Sequence, residues 1–356
     1  MDDSPYTIKF DTGTGPEKEI LFTVDSHPST NIISTGDVTG QINLYSYTSN
    51  QPCKLLHSFN HLESKSSCRE LKFSSKGNRL FCGTQGKEII SIDVETGQLL
   101  RSIGKAHSAS VYSMLTVSEG VLVSGDESGE IKIWDTRSWK APFCFNESHD
   151  FISSMAVDDT RRTLLAASGD GTLCAFDLRQ RLLDQRSDCN ESELLSLAIV
   201  KGGKKVVCGD GEGTLMIYNW GLWGDITDRF PCHPQSIDCM LALNDSVVCT
   251  GCMDGMIRSV QILPNQTLGI IGKQSPTALS IDAMCLTHDR EFLATSSQDC
   301  LKFWPVGAIP TLPSDGPSGK RKTKAEVADR DDTYLRKKRK KQRKEDNSDV
   351  NFFADL

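Results

Sequence analysis

The sequence predicts an all-β fold, a propeller of seven four-stranded blades, and three observations carry that prediction. A hydrophobic anchor returns every 42 residues at Ile92, Trp134, Phe176, Tyr218 and Val260, with Tyr45 47 residues before the first and Trp304 44 after the last. Each anchor closes a short apolar strand after a Gly- or Asp-rich turn, as in Gly129-Glu130-Ile131-Lys132-Ile133-Trp134-Asp135. Between anchors lie short runs of β-branched and aromatic residues bounded by Gly, Asp or Pro, which is strand patterning. A period of about 40–45 residues with this ending is that of WD40 blades. Seven anchors mean seven blades, and such rings are mostly rigid platforms for partners.

Blade 3 reads most clearly. His107 precedes a first strand near Val111–Val117, a second runs Val121–Ser124, a third Glu130–Asp135, and a weaker fourth lies near Phe143–Phe145. Blade 4 repeats this with His149, Ile152–Val157, Thr163–Ala167 and Thr172–Asp177; blade 6 repeats it from His233 through Met256–Ile262. Blade 7 offers three strands before Pro305, Pro310 and Pro313, where ladder pairing must stop. Tyr6–Phe10 is the unassigned strand-like segment, so it is expected to close the ring as the outer strand of blade 7 and cover an edge that would otherwise template aggregation. The propeller is thus expected over residues 1–306.

A WD40 blade is usually stapled by a loop His, a second-strand Ser or Thr, a turn Asp and a third-strand Trp. The sequence places His107, Ser124 and Trp134 in blade 3, His149 and Asp170 in blade 4, and His233, Thr250 and Asp254 in blade 6. Asp126 stands two residues off register, so no blade is expected to have all four members, and burial of apolar surface between blades is expected to dominate. These histidines are read as structural.

Enzymatic patterns do not emerge. Gly209-Asp210-Gly211-Glu212-Gly213 resembles a phosphate loop, but no P-loop Lys follows it and no helix opens from it. The Cys249/Cys252 pair has no second pair to complete a zinc site. Thirteen cysteines, several closing second strands as Cys82, Cys208 and Cys249 do, fit small core hydrophobes in a reducing compartment. The N-terminus lacks a secretory h-region, and no apolar run is long enough for a membrane span. No cofactor, metal or catalytic residue is expected.

Charge divides the chain. Residues 1–306 carry 27 Lys+Arg against 38 Asp+Glu, and residues 307–356 carry 13 against 9. The second segment is rich in Pro, Ser, Gly and charge, which predicts a disordered basic tail. Lys320, Arg321, Lys322 and Lys324 are followed, after an 11-residue spacer, by Arg336, Lys337, Lys338, Arg339, Lys340, Lys341, Arg343 and Lys344. Two such clusters read as a bipartite signal for a nuclear import receptor, and secondarily as a sequence-tolerant RNA contact. Phe352 and Phe353 in the acidic end read as a docking peptide.

Asp135-Thr136-Arg137 and Asp177-Leu178-Arg179 close equivalent strands of consecutive blades. This pair resembles the box by which WD40 substrate receptors dock the propeller adaptor of cullin-4 ubiquitin ligases, where an Arg fork meets carboxylates or carbonyls. The plainer alternative pairs each Arg with the Asp of its own blade.

Tyr218-Asn219-Trp220, Asp228-Arg229-Phe230, Ser236-Ile237-Asp238-Cys239-Met240, Ile262-Leu263-Pro264-Asn265 and Leu301-Lys302-Phe303-Trp304 resemble the WD repeat-containing protein 55 family over the whole propeller. The resemblance implies a nuclear and nucleolar protein associated with ribosomal RNA production. The combined expectation is a non-catalytic scaffold holding protein partners on its faces, with a ligase substrate receptor as the alternative and a cytoplasmic adaptor as a third reading.

Overall fold

The computed structural model describes residues 7–9, 20–48, 51–60, 66–274 and 279–309, and it is all-β apart from one 3-10 turn at Val306–Ala308. A short strand β1 (Thr7–Lys9) comes first. Blade 1 is β2 to β5: Leu21–Ser26, Ile32–Asp37, Ile42–Thr48 and Gln51–Phe59. Blade 2 is β6 to β9: Cys68–Phe73, Arg79–Thr84, Ile89–Asp93 and Leu99–Ile103. Blade 3 is β10 to β13: Val111–Ser118, Val121–Asp126, Ile131–Asp135 and Lys140–Phe145. Blade 4 is β14 to β17: Ile152–Val157, Thr163–Ser168, Leu173–Asp177 and Leu182–Arg186. Blade 5 is β18 to β21: Leu194–Val200, Lys205–Asp210, Thr214–Asn219 and Asp228–Pro231. Blade 6 is β22 to β25: Ile237–Ala242, Val247–Cys252, Met256–Gln261 and Gln266–Lys273. Blade 7 has β26 to β28: Ala283–Leu286, Phe292–Ser297 and Cys300–Pro305.

Each blade is an antiparallel meander. The fourth strand of blade 7 is β1, with Thr7 opposite Lys302 and Lys9 opposite Cys300, so the two ends of the ring share one sheet. Tyr6 and Phe10 lie outside the described residues, as do residues 310–356. The first strands β2, β6, β10, β14, β18, β22 and β26 each pack against the next, and β26 meets β2, which makes a closed inner ring around an axis. Side chains lace neighbouring blades there. Ser113 Oγ donates to Ile152 O at 2.7 Å, Ser153 Oγ to Leu194 O at 2.5 Å, and Ser196 Oγ to Ile237 O at 2.8 Å.

The core lies between blades rather than inside one. Ile42 and Leu44 of blade 1 pack with Leu71, Leu80 and Ile92 of blade 2, and Tyr45 and Tyr47 of blade 1 pack with Phe292 and Phe303 of blade 7. The anchors Ile92, Phe176, Tyr218 and Val260 are fully buried, which is why the 42-residue period survives in the sequence. Close approach of neighbouring sheets needs glycine in the second strand: a Cβ on Gly125 would stand 2.6 Å from Ile152 Cβ, and one on Gly209 2.7 Å from Ile237 Cβ. Cys82, Cys208 and Cys249 are buried free thiols, with burial pushing Cys249 up to about 12. Ordered packing continues past the expected boundary at residue 306, because Ile309 is buried against the blade 6–7 core.

Candidate functional sites

Blade 3 holds a complete network, contrary to the expectation that none would. His107 Nδ1 is 3.2 Å from Asp126 Oδ2, its Nε2 is 2.5 Å from Ser124 Oγ, and Trp134 Nε1 donates to Ser124 Oγ at 2.8 Å. Asp126 succeeds from its off-register position because it has two carboxylate oxygens to use. Oδ1 caps the β11–β12 turn by accepting from Ser128 N and Glu130 N, both at 2.9 Å, and Oδ2 is left to face His107. Burial would raise the Asp126 pKa, but bonds from His107, Ser128 and Glu130 N–H outweigh it and hold the carboxyl well below the usual range. His107, Asp126 and Glu130 also form the one carboxylate–histidine group among the described residues compact enough for a metal ion. Its atoms are already engaged, since Lys132 Nζ sits 3.0 Å from Glu130 and Ser124 takes the second ring nitrogen.

The other predicted staples diverge. In blade 6, His233 Nε2 is 2.7 Å from Thr250 Oγ1, but Asp254 pairs with Arg258 at 2.5 Å instead of with the histidine. In blade 4 the His149 ring is exposed, and the backbone N–H of His149 donates to Asp170 Oδ2 at 2.8 Å. The reason is local: Ala166 and Phe176 stand where blade 3 has Ser124 and Trp134, so a histidine there would have no hydroxyl to meet. Blade 7 contains a staple that a search for histidine misses. Buried Gln274 accepts from Thr295 Oγ1 at 2.7 Å, and Thr295 Oγ1 in turn accepts from Trp304 Nε1 at 2.8 Å. Gln274 lies 41 residues after His233, so the period marks its position even though its side chain differs.

One rim of the ring carries the turns that join first to second strands and third to fourth strands. They are tied together in every blade by a backbone bond: Tyr47 N to Asn31 O, Val94 N to Asn78 O, Thr136 N to Gly120 O, Leu178 N to Arg162 O, Trp220 N to Lys204 O, Ile262 N to Ser246 O and Val306 N to Glu291 O. Arg137 and Arg179 occupy equivalent exposed positions on this rim in blades 3 and 4. Asp135 Oδ1 accepts from Arg137 N at 2.9 Å, and Asp177 Oδ1 accepts from Arg179 N at 2.9 Å, so each aspartate is a turn cap. Arg137 Nε also reaches Asp135 at 3.1 Å, while its side chain keeps 55% exposure. The tail residues Lys320, Arg336–Lys344, Phe352 and Phe353 lie outside the described residues.

The family profile described as WDR55 matches residues 16–309, which is the described ring almost end to end. The chain belongs to this family. WD repeat-containing protein 55 of Rattus norvegicus is 39% identical over 292 residues, 81% of this chain and 75% of the relative. Its Homo sapiens counterpart is 38% identical over 286 residues, 80% of this chain and 73% of the relative. The Arabidopsis thaliana protein of the same name is 37% identical over 290 residues, covering 81% of both. WD40 propellers of this kind are generally scaffolds for protein–protein interaction, and the buried, hydrogen-bonded state of His107 and His233 in this WDR55 family member fits structural posts. No helix among the described residues is long and apolar enough to cross a membrane.

Proposed function

We propose that this chain is a non-catalytic scaffold of the nucleus and nucleolus that acts in ribosomal RNA processing and ribosome biogenesis. The observation that carries the reading is the match of the whole ring, residues 16–309, to the WDR55 family, whose resemblance implies that role. The basic clusters at Lys320–Lys324 and Arg336–Lys344 support it, since they suit both an import receptor and a compartment crowded with RNA. Protein partners sit on the propeller faces, and Phe352-Phe353 serves as a further docking peptide. Depletion should make ribosomal RNA precursors accumulate relative to mature species; unchanged precursor ratios after near-complete depletion would count decisively against the role.

A second reading has its own observation. Asp135 and Asp177 each accept from the backbone N–H two residues on and present Arg137 and Arg179 at equivalent exposed positions of adjacent blades. This geometry suits docking of the propeller adaptor of a cullin-4 ligase. Replacing both arginines with alanine should abolish co-purification of that adaptor, and persistent binding would make the motif coincidental.

A further inference from the structure

The rim that bears Arg137 and Arg179 is not uniform in charge. Blade 4 adds Arg161 and Arg162 in its first turn and Arg181 in its second, and blade 5 adds Lys204. The bond from Leu178 N to Arg162 O, 2.8 Å, holds the two blade 4 turns side by side, so four arginines share one segment of rim. Arg137, Arg161, Arg162, Arg179 and Lys204 are exposed, and the Arg181 guanidinium lies 4.1 Å over the Phe143 ring. Carboxylates stand among these cations, at Asp135, Asp158, Asp159 and Asp177. Asp158 Oδ1 accepts from Arg162 N at 2.7 Å and Thr163 N at 2.8 Å, Asp135 and Asp177 cap their own turns, and Arg137 Nε pairs with Asp135 at 3.1 Å. The corresponding turns of blades 6 and 7 are acidic, with Asp245, Asp289 and Glu291 against Arg290. The arc over blades 3 to 5 is therefore more basic than the corresponding turns of blades 6 and 7.

Aromatic rings bracket that arc. Trp139 stands half-buried in the blade 3 turn, propped edge-on against Phe81 at 5.8 Å. Trp220 stands half-buried in the blade 5 turn, braced by the buried Trp223 at 4.9 Å, with its backbone N–H bonded to Lys204 O. Leu222 beside it is 58% exposed. Guanidinium groups fit phosphate in planar forks, and a partly exposed indole offers a face on which any base can stack. An acidic protein would use the cations but has no need of two tryptophans at the ends of the row.

We infer that the rim of blades 3 to 5 is a track for single-stranded RNA, with phosphates on Arg137, Arg161, Arg162, Arg179, Arg181 and Lys204 and bases stacked at Trp139 and Trp220. The inference rests on the ribosomal RNA reading only for its choice of RNA as the physiological polymer. It assigns to the ring itself a contact that the sequence placed in the tail alone.

The test uses the full chain with Lys320, Arg321, Lys322, Lys324 and the eight basic residues between 336 and 344 replaced by glutamine, so that the tail does not mask the ring. A fluorescein-labelled oligouridine of about 20 nucleotides is titrated and followed by anisotropy at several salt concentrations. Binding should persist, and should be stronger than to a duplex of equal length. Arg161→Gln with Arg162→Gln, Arg179→Gln and Arg181→Gln should weaken it about tenfold or more, and the log–log salt slope should shrink by about 0.7 for each phosphate no longer neutralised. Should that variant fail to fold by circular dichroism, Arg162→Gln with Lys204→Gln, both exposed, reads the same loss on a smaller scale. Trp220→Leu should weaken binding while leaving the slope unchanged. Unchanged affinity in the folded arginine variants would overturn the track. So would displacement of the RNA by poly-glutamate as readily as by unlabelled RNA, which would mark a site for acidic protein. Precursor ratios in depleted cells, measured separately, decide whether the ribosomal reading fails independently of the RNA contact.

Discussion

Blades 3 and 6 share a histidine, a second-strand hydroxyl and a turn aspartate, yet they use them in opposite senses. In blade 3 the carboxylate of Asp126 faces His107 Nδ1, which must donate to it, while Nε2 lies 2.5 Å from Ser124 Oγ. In blade 6 Thr250 Oγ1 donates to Arg258 O at 3.3 Å, so His233 Nε2 must donate to Thr250, and Nδ1 receives the Cys232 thiol at 2.9 Å. Asp254 has been captured by Arg258. The first network ends in a tryptophan that couples second to third strand; the second ends at Val260, which has only methyl groups to offer. One blade is stapled by a polar chain, the other by burial.

The sharpest way to break the comparison is at the anchor itself. Trp134→Ala should remove a large buried ring and leave Ser124 short of a donor, at a cost of about 3–5 kcal/mol. Val260→Ala, which removes two methyl groups and no hydrogen bond, should cost about 2 kcal/mol. Chemical denaturation of the two variants against the parent checks the order. Equal losses would mean that the polar chain adds nothing beyond burial.

Acid separates the same two blades. Burial, followed by the positive charge of Arg258, lowers His233 from 6.5 to about 4. The unfolded chain therefore binds a proton that the folded one refuses, and stability present above pH 6.5 is lost as pH falls toward 4. The full effect amounts to about 3 kcal/mol, at about 1.36 kcal/mol for each pH unit. Asp282 opposes it over part of that window. Burial, with the nearby Asp238 charge, raises Asp282 from 3.8 to about 6, so its folded form holds a proton longer and contributes stability as pH falls from about 6 to 4. The decline should hence be steepest between about pH 6.5 and 6 and shallower below. His233→Gln, imitating Gln274 of blade 7, should remove this decline, so that stability instead rises as pH falls through about 6 in the direction set by Asp282. A pH series of melting curves that is unchanged by His233→Gln would show that this histidine is not the group being titrated.

What was readable in the sequence follows from what each feature depends on. The 42-residue period was plain because Ile92, Phe176, Tyr218 and Val260 are each wholly buried at the same place in a blade, where a large or branched hydrophobic body is required. The staples were less readable because more than one side chain can supply the same bond. Gln274 replaces a histidine, and Asp126 reaches His107 from the last residue of β11 while still capping its turn. Looking for function at a position rather than for a residue type would have found both. The basic rim was hidden for another reason: Arg161, Arg162, Arg179, Arg181 and Lys204 come from separate turns far apart in the chain. Only the backbone bonds that join paired turns bring them onto one edge.

The smallest effect tests whether that edge contributes to stability as the blade 3 interior does. Arg137 and Arg179 hold their turns through backbone N–H groups, which alanine retains, and the aspartates that accept those bonds are unchanged. At Arg137 the side chain adds an exposed ion pair, 3.1 Å from Asp135, of the kind that is screened by salt and offset by side-chain entropy. Arg137→Ala with Arg179→Ala should therefore shift stability by no more than about 0.5 kcal/mol. Blade 6 supplies the internal control, because it ends its third strand in Gln261 with no aspartate cap and still forms the same rim bond from Ile262 N to Ser246 O. Melting the double variant beside Trp134→Ala separates the two cases. A loss comparable to that of the tryptophan variant would make these arginines staples of the blade, and any binding they were credited with would have to be measured again on a variant that folds.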